Sequence, residues 1–534
     1  MIDHEEYRYG SARWADVSEI ANAGLLRGSG VQIGYLGNRA ISLDTDAPMI
    51  TIAGAGSGKM RDLLSMAVAR NAHKRNFVLD PRGEIAAVTM VSFAFAKAHV
   101  YCWNPTGMVG LPQHRINPLD ILDWSSPHFH ADCKFIAESL IPASGSANGR
   151  YFELRAREWL ENLIKAQVER HGQVSFPSLY RVVNMIEGDH EGWADVLETM
   201  LESSVESVRR TASEMLTKQQ ESEKEFGSII GEVYAHLNFL DDPMLQAALE
   251  HADVSFNDLC RSRTPTSVFI NVPIEYVSLW APLLRAMFTV QVLYKSRAPS
   301  AQSIHMIVDE AGQLGGFEAL LRAFTFGRGA GVRTWALFQD VGQIIKNYGA
   351  PALQSFLGSA AMRQFFGVRD YQTARMVSEM LGTQTLEYDD GLAQAAAHKR
   401  KVGSAMSMFS GGDPFEAYSE FKYQSLAETH RTKQARPLMS PDEVLALPEG
   451  KQVLFISGKN LYPMLADKKP YFKRREFAGR FLPNPYHPPS DSLAIPRILG
   501  TRRVRIITET APYPYSEFPQ YRSGRWRYVE GFKP

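Results

Sequence analysis

Seven short apolar runs, each closed by turn residues, constrain this chain more than any other feature. They are MITI at 49–52, NFVLD at 76–80, VYCW at 100–103, SVFINV at 267–272, IHMIVDE at 304–310, TWALFQ at 334–339 and QVLFIS at 452–457. Each has the length and apolar content of a strand buried on both faces. Most are separated by segments with helical spacing, the pattern of a parallel sheet covered by helices. The expected fold class is therefore α/β with a mostly parallel sheet.

Between about 120 and 260 the strand runs stop. Stretches such as YFELRAREWLENLIKAQVERHG carry apolar residues at three- and four-residue intervals with charges between them, as amphipathic helices do. Residues 172–262 are expected to form an all-helical domain inserted into the α/β core. That stretch holds 17 acids against 6 bases, although the chain as a whole balances 58 Lys and Arg against 58 Asp and Glu. Its acidic surface is either a partner-binding face or a solvated one. Residues 473–534 reverse the sign, with 12 bases against 5 acids. Residues 385–435 lack a sustained period and read as an exposed loop or insertion. The Pro-, Tyr- and Arg-rich tail after about 480 is expected to drape over a surface or a neighbouring subunit.

Three widely spaced cysteines, Cys102, Cys133 and Cys260, suit a reducing cytoplasm and lack metal-ligand spacing. The longest apolar run, Ile85 to Ala96, is too short to span a bilayer, so the chain as it stands is expected to be soluble. The start MIDHEEYRYG is polar and acidic and is not expected to act as a signal peptide.

The stretch Met49 to Met60, MITIAGAGSGKM, leads an apolar run into a glycine-rich turn ending in Gly-Lys. A strand feeds a phosphate-binding loop and then a helix in this way. The residues expected to hold a nucleotide are Ala53, Gly54, Ala55, Gly56, Ser57, Gly58, Lys59 and Met60. The glycines let the backbone curl round an anion at a helix N-terminus, and Lys59 reaches the β and γ phosphates. Two positions depart from the usual pattern. Ala53 stands at the first glycine, and Met60 follows the lysine where Ser or Thr would offer Mg²⁺ an oxygen.

The second element of the site is SIHMIVDEAGQLG at 303–315, where a strand runs into Asp309 and Glu310 at its carboxyl edge. Ligands of open α/β sheets bind at that edge. Asp309 is expected to hold Mg²⁺ through its water shell, and Glu310 to orient and deprotonate an attacking water. About thirty residues on, Gln339 ends the next strand, placed to contact the γ phosphate or the water. Arg328 and Arg333 lie on the intervening segment, where an arginine could serve a neighbouring subunit's nucleotide. The HFHADC stretch at 128–133 fails as a metal site, because His128 and His130 point to different helix faces.

Taken in order, these motifs resemble the VirD4/TraG-type coupling proteins of type IV secretion systems, which belong to the hexameric RecA-like motor ATPases. The resemblance covers nearly the whole chain. It rests on RYGSARWADVSEIANAGLL near the start, AGAGSGKM, VLDPRGE at 78–84, YCWNPTG with INPLD, VDEAGQLG at 308–315, FQDVGQIIKNYG at 338–349 and RPLMSPDEVLALPEGKQVLFISG at 436–458.

It implies a RecA-like P-loop domain whose first part, after an N-terminal segment, fills 1–120. A helical connection at 121–171, the all-alpha insert at 172–262, the second part of the nucleotide-binding domain at 263–480 and the tail at 481–534 follow. It implies Lys59 and the loop on phosphate, Asp309 on Mg²⁺, Glu310 as base and Gln339 as sensor, with ATP and Mg²⁺ as cofactors. The implied activity is a coupling ATPase that recruits a relaxase–DNA complex or secreted proteins and drives them to the secretion channel. Implied partners are single-stranded DNA, relaxase, protein substrates, channel components and five further copies in a homo-hexamer. The alternative is a soluble substrate receptor or adaptor with weak or no ATPase activity. The family usually begins with transmembrane helices, so a chain without them is expected in the cytoplasm or peripherally at the inner membrane.

Overall fold

The computed structural model describes residues 7–142, 149–409, 413–429, 431–498 and 500–534. In chain order the strands among them are β1 (Val31–Leu36), β2 (Arg39–Leu43), β3 (Met49–Ala53), β4 (Arg75–Asp80), β5 (His99–Trp103), β6 (Thr266–Asn271), β7 (Ile304–Val308) and β8 (Val332–Phe338). They continue with β9 (Met362–Phe366), β10 (Thr383–Tyr388), β11 (Thr432–Pro437), β12 (Lys451–Ile456), β13 (Met464–Asp467), β14 (Ser492–Pro496), β15 (Thr501–Thr510) and β16 (Arg525–Val529).

The chain divides into two compact units. The larger comprises Val17–Val368, Pro448–Leu461 and Leu465–Pro534. Its centre is an eleven-stranded sheet in the order β2-β1-β13-β12-β9-β3-β8-β7-β4-β6-β5. From β9 to β5 the neighbours pair in parallel. On the other side of β9 the pairings of β12 with β9, β1 with β13 and β1 with β2 are antiparallel. The fold is thus α/β with a mostly parallel sheet. All seven apolar runs seen in the sequence lie in it, while β9, with polar Arg363 and Gln364 amid its apolar residues, carries no clear apolar run.

Residues of β3 are buried throughout, and Ile52 stands opposite Phe338 of β8 and Phe365 of β9. A polar thread crosses this apolar layer. Trp335 Nε1 donates to Thr51 Oγ1 at 2.9 Å, Thr51 Oγ1 to Gln364 Oε1 at 2.7 Å, and Gln364 Nε2 to Gln452 Oε1 at 2.6 Å. Gln452 Nε2 ends the thread on the Ile33 carbonyl at 2.9 Å. Buried polar groups are tolerable only when paired, and here the pairing ties β8, β3, β9, β12 and β1 into one register.

Between β5 and β6 the chain is helical, running from Phe129–Leu140 and Arg150–His171 through six more helices to Phe256–Arg261. Several starts are capped as the sequence allows. Ser175 forms a capping box with Ser178, Ser255 with Asp258, and Asp242 accepts from the Met244 and Leu245 amides.

The tail, expected only to drape, folds into the antiparallel sheet β14-β15-β16. Gln520 anchors it to edge strand β5, accepting from the Val100 amide and donating to the Ala98 carbonyl, each at 2.9 Å. That covers backbone groups an edge strand would otherwise expose.

The smaller unit comprises Met1–Asp16, Arg369–Leu447 and Tyr462–Met464. Here residues 385–435 differ from the loop reading. Strands β10 and β11 pair from Thr383 with Pro437 to Tyr388 with Thr432 and carry two helices, Gly391–Phe409 and Pro414–Thr429, between them. The buried positions described on those helices include Ala397, Ser404, Ala417 and Gln424. Small and polar residues at the buried positions leave no apolar stripe to read.

Candidate active site

The predicted phosphate loop connects β3 to a helix that opens with a π turn at Met60–Leu64 and continues as Ser65–Arg70. Gly56 and Gly58 have φ of 70° and 85°, a region that glycine enters without steric cost. At Gly58 a Cβ would also stand 2.5 Å from Asp62 Oδ2. Both glycines are therefore required by the curl itself. Lys59 folds back into the loop, its ammonium 3.3 Å from the Ala53 carbonyl and 3.0 Å from Glu310 Oε1.

Glu310 comes from the other half of the site. β7 ends at Val308, and the two acids follow in the turn after it rather than in the strand. Glu310 has φ 53°, a left-handed conformation that is strained for a residue with a side chain. Its amide donates to Asp309 Oδ1 at 3.0 Å. Its Oε2 accepts from Gln339 Nε2 at 2.8 Å. One carboxylate thus bridges the loop lysine and the glutamine after β8.

Burial pushes the Asp309 carboxyl up to about 6, Lys59 pulling the other way and the Glu310 charge adding to the rise. Asp80, at the end of β4, is pushed up to about 7, again mainly by burial, with Asp309 and Glu84 contributing. Asp80 Oδ2 accepts from the Ala86 amide at 2.9 Å and from Asn271 Nδ2 at 3.3 Å. Neutral carboxyls at this edge would ionise when a cation arrives.

The Met60 side chain lies in apolar company. Its sulfur accepts from Ser65 Oγ at 2.9 Å, and its side chain packs against a cluster of Tyr35, Met66, Ala69, Val88, Tyr471, Phe477 and Phe481. The position after the lysine serves an apolar core.

Behind the loop lies a charge network that the sequence did not reveal. Lys468 Nζ donates to the Ser57 carbonyl at 2.6 Å, lies 3.6 Å from Asp62 Oδ2 and sits 4.0 Å above the Phe366 ring. Asp62 also pairs with Arg61 at 2.7 Å, and Arg61 with Glu449 at 2.7 Å. Burial lowers the Lys468 pKa. No motif marks Lys468, which stands about 400 residues from the loop in a plain ADKKP sequence. Gly367 meets the loop too closely for a side chain, since a Cβ there would stand 2.4 Å from Ser57 Cβ.

Of the predicted residues, Lys59, Glu310 and Gln339 are thus directly linked, with Asp309 adjoining Glu310, and Gly54 to Gly58 form the turn beside Lys59. Arg328 and Arg333 stand apart from them, paired with Asp46 at 2.8 Å and Asp44 at 3.7 Å. His128 and His130 are exposed while Cys133 is buried, so the HFHADC stretch does not converge.

The loop fits a bound phosphate group by its own chemistry. Ser57 Oγ is buried with no hydrogen-bond partner among the described residues, positive-φ glycines flank it, and the Lys59 ammonium is shared between a carbonyl and a carboxylate that an anion can replace. Asp309 and Glu310 give a hard cation oxygen ligands directly or through water.

The family model described as type IV secretory system conjugative DNA transfer matches residues 13–410 and 414–490. A conjugal transfer protein TraG of Escherichia coli is 23% identical over 533 aligned residues, covering 89% of this chain and 78% of the relative. Protein VirD4 of Rhizobium radiobacter is 23% identical, covering 89% of this chain but only 65% of its own length. Among solved structures, the bacterial conjugative coupling protein TrwBdeltaN70 aligns with a TM-score of 0.61 at 16% identity, over 86% of this chain and 93% of that one. TrwB solved in complex with ADP and Mg²⁺ aligns at 0.59 and 16% identity, over the same shares of the two chains. These structural likenesses establish the fold.

Proposed function

The chain belongs to the type IV secretory system conjugative DNA transfer family, and we propose that it is a coupling ATPase, driving DNA–protein or protein substrates toward a secretion channel. The observation that carries this reading is the Glu310 carboxylate, held between Lys59 at 3.0 Å and Gln339 at 2.8 Å beside Asp309. A chain that had abandoned hydrolysis would have little need to hold that acid pair next to a phosphate loop.

In this reading the loop amides and Lys59 hold the β and γ phosphates of ATP. Mg²⁺, held by Asp309 through water, would neutralise phosphate charge. Lys59 leaves Glu310 for the phosphate, and the freed Glu310 Oε1 accepts a proton from water. Gln339 keeps the carboxylate oriented through its hydrogen bond to Oε2. Six copies in a ring, with an arginine such as Arg328 or Arg333 acting on a neighbour's nucleotide, complete the proposal. Single-stranded DNA or relaxase-bound DNA is the proposed substrate, gripped by charge and released steeply by salt. The all-helical stretch 172–262, with its acidic surface, is the proposed docking element for relaxase or protein cargo. No helix among the described residues is long and apolar enough to cross a membrane.

The testing experiment is ATP turnover by the wild-type chain beside Lys59→Ala and Glu310→Gln, across several concentrations of single-stranded DNA. Turnover should depend on Mg²⁺ and rise with DNA. Wild-type turnover no higher than that of Glu310→Gln, with and without DNA, sinks the motor reading.

Met60 favours a second reading, because its side chain is committed to the apolar cluster and offers Mg²⁺ no oxygen. In it the protein is a substrate receptor with weak hydrolysis. Deleting residues 172–262 should then abolish partner capture and leave nucleotide binding intact.

A further inference from the structure

The two helices carried by β10 and β11, Gly391–Phe409 and Pro414–Thr429, pack on each other as a hairpin. The first turns positions 394, 397, 401, 404 and 408 toward its partner, all of them buried or half-buried. Ala417 and Gln424 are buried on the second, and Lys401 Nζ lies 5.5 Å from the centre of the Phe421 ring. Two residues before each of those five positions, roughly 200° round the helix, stand Leu392, Ala395, Lys399, Val402 and Met406. Their alternating spacing of three and four is that of a coiled-coil seam, yet all five are exposed, Leu392 to 87% and Met406 to 68%. The second helix likewise turns Phe415 outward, 87% exposed, with Tyr418 and Tyr423 also exposed.

Apolar side chains gathered on a surface in this way mark an interaction site, and their charged neighbours say what it fits. The first helix carries Lys399, Arg400 and Lys401 and no acid. The second sets Glu416 and Glu420 among its exposed aromatic residues, against the single base Lys422. A phosphate-bearing surface would suit the first helix and be repelled by the second. An acidic helix with outward aromatic residues suits the first helix throughout, and the chain itself supplies one. A shallow cavity of about 250 Å³, lined by His398, Lys401, Val402, Ala405, Met406 and Phe421, opens beside the basic face. It has room for an aromatic ring, with the Met406 thioether to meet it.

We propose that the hairpin is a docking device between copies of this chain: the basic face of one copy's first helix receives the acidic, aromatic face of another copy's second helix. Within one hairpin the two faces point away from each other, so neither can satisfy its own partner. The contact is therefore head-to-tail. Each hairpin offers one face of either kind and takes a neighbour on each side, an arrangement that closes into a ring or runs on as a filament. The surface lies wholly in the smaller unit and uses no residue of the nucleotide site. It leaves the number of copies to the ring reading above and stands or falls separately from the ATPase.

The test is sedimentation velocity of the full chain over a concentration series, with and without ADP and Mg²⁺. Met406→Glu and Phe415→Glu, both at exposed positions, should each weaken self-association by about tenfold or more. Reversing one face, with Lys399→Glu and Arg400→Glu together or with Glu416→Lys and Glu420→Lys together, should weaken it by about fivefold or more. All four reversals in one chain restore the complementarity and should return association to within about threefold of wild type. A hairpin that merely misfolds gives no such rescue, so a fourfold variant weaker than either pair overturns the proposal. So does unchanged association in both Met406→Glu and Phe415→Glu, which leaves the ring reading standing on other surfaces. The native cysteines are buried, so oxidation of a mixture of Met406→Cys and Phe415→Cys chains should cross-link them in greater yield than it does either chain alone. Equal yields overturn the head-to-tail contact. A wild type that stays monomeric throughout brings down the ring reading as well.

Discussion

Lys59 Nζ lies 3.0 Å from Glu310 Oε1, so the cation expected to hold phosphate is paired with the acid expected to activate water. Both side chains are nearly buried, at 9% and 14% exposure, where a charge is stable only if partnered. A nucleotide must compete with Glu310 for Lys59. Glu310→Gln removes that competitor while leaving Gln339 an oxygen or amide to bond. The variant is expected to bind ATP about threefold tighter or more, and to lose turnover by about a hundredfold or more. Lys59→Ala should lose both. Equilibrium binding measured beside phosphate release separates the two; an Glu310→Gln variant with weakened binding would contradict the competition.

Met60→Thr restores the oxygen-bearing residue usual at that position, yet the backbone there turns the side chain into the cluster of Tyr35, Met66 and Phe477. Replacing a thioether in that contact should destabilise the chain by about 1–2 kcal/mol. The Mg²⁺ concentration giving half-maximal turnover should stay within about threefold of wild type, because the new hydroxyl faces the cluster. A chemical denaturation curve and a Mg²⁺ titration of ATPase check the pair, and a sharp fall in Mg²⁺ requirement would show that the π turn at Met60–Leu64 re-forms.

Much of this site is legible in the sequence because its chemistry demands local patterns. The curl of Gly54 to Lys59 needs glycines at fixed places, and Asp309 and Glu310 follow directly on an apolar strand. The seven apolar runs were readable for the same reason, each being buried on both faces. β9 was not, because Gln364 sits in its middle, and only the thread to Thr51 and Gln452 shows why a polar residue belongs there. Lys468 was illegible in principle. Its role depends on β13 returning to the sheet beside β1 and β12, a contact with no local signature. The helices between β10 and β11 escaped because they bury small and polar residues rather than an apolar stripe.

Lys468 positions the loop without touching a ligand, through its bond to the Ser57 carbonyl and its approach to Asp62. Lys468→Met keeps the stem's packing against Phe366 and removes the charge. It should weaken ADP binding by about tenfold and cost about 2–3 kcal/mol of stability, because a buried carbonyl and carboxylate lose a donor. In an Asp62→Asn background the stability cost should shrink by about 1 kcal/mol or more, as expected for partners in one network. A double-mutant cycle by denaturation, with ADP affinity measured alongside, checks both, and strictly additive costs would remove Asp62 from the account.

The acids at the sheet edge make stability depend on pH in a direction opposite to that of most carboxylates. Burial raises Asp80 from 3.8 to about 7 and Asp309 from 3.8 to about 6. A carboxyl with a raised folded-state pKa holds its proton more tightly folded than unfolded. Folding is therefore favoured by these groups below about pH 4, and that contribution is lost as pH rises through 6 and 7. For Asp80 the three-unit difference caps the effect at about 4 kcal/mol. The nucleotide-free chain should accordingly melt at a lower temperature at pH 8 than at pH 6. Asp80→Asn cannot ionise, still accepts through its carbonyl from the Ala86 amide, and should flatten the slope between those values. Added Mg²⁺ with ADP should also narrow the gap, since a cation at Asp309 repays the cost of ionising it. Scanning calorimetry at pH 6, 7 and 8 decides the matter: a melting temperature that rises across this range would show that neither acid enters the folded state with a proton to lose, and an Asp80→Asn chain with the wild-type slope would remove Asp80 from the account.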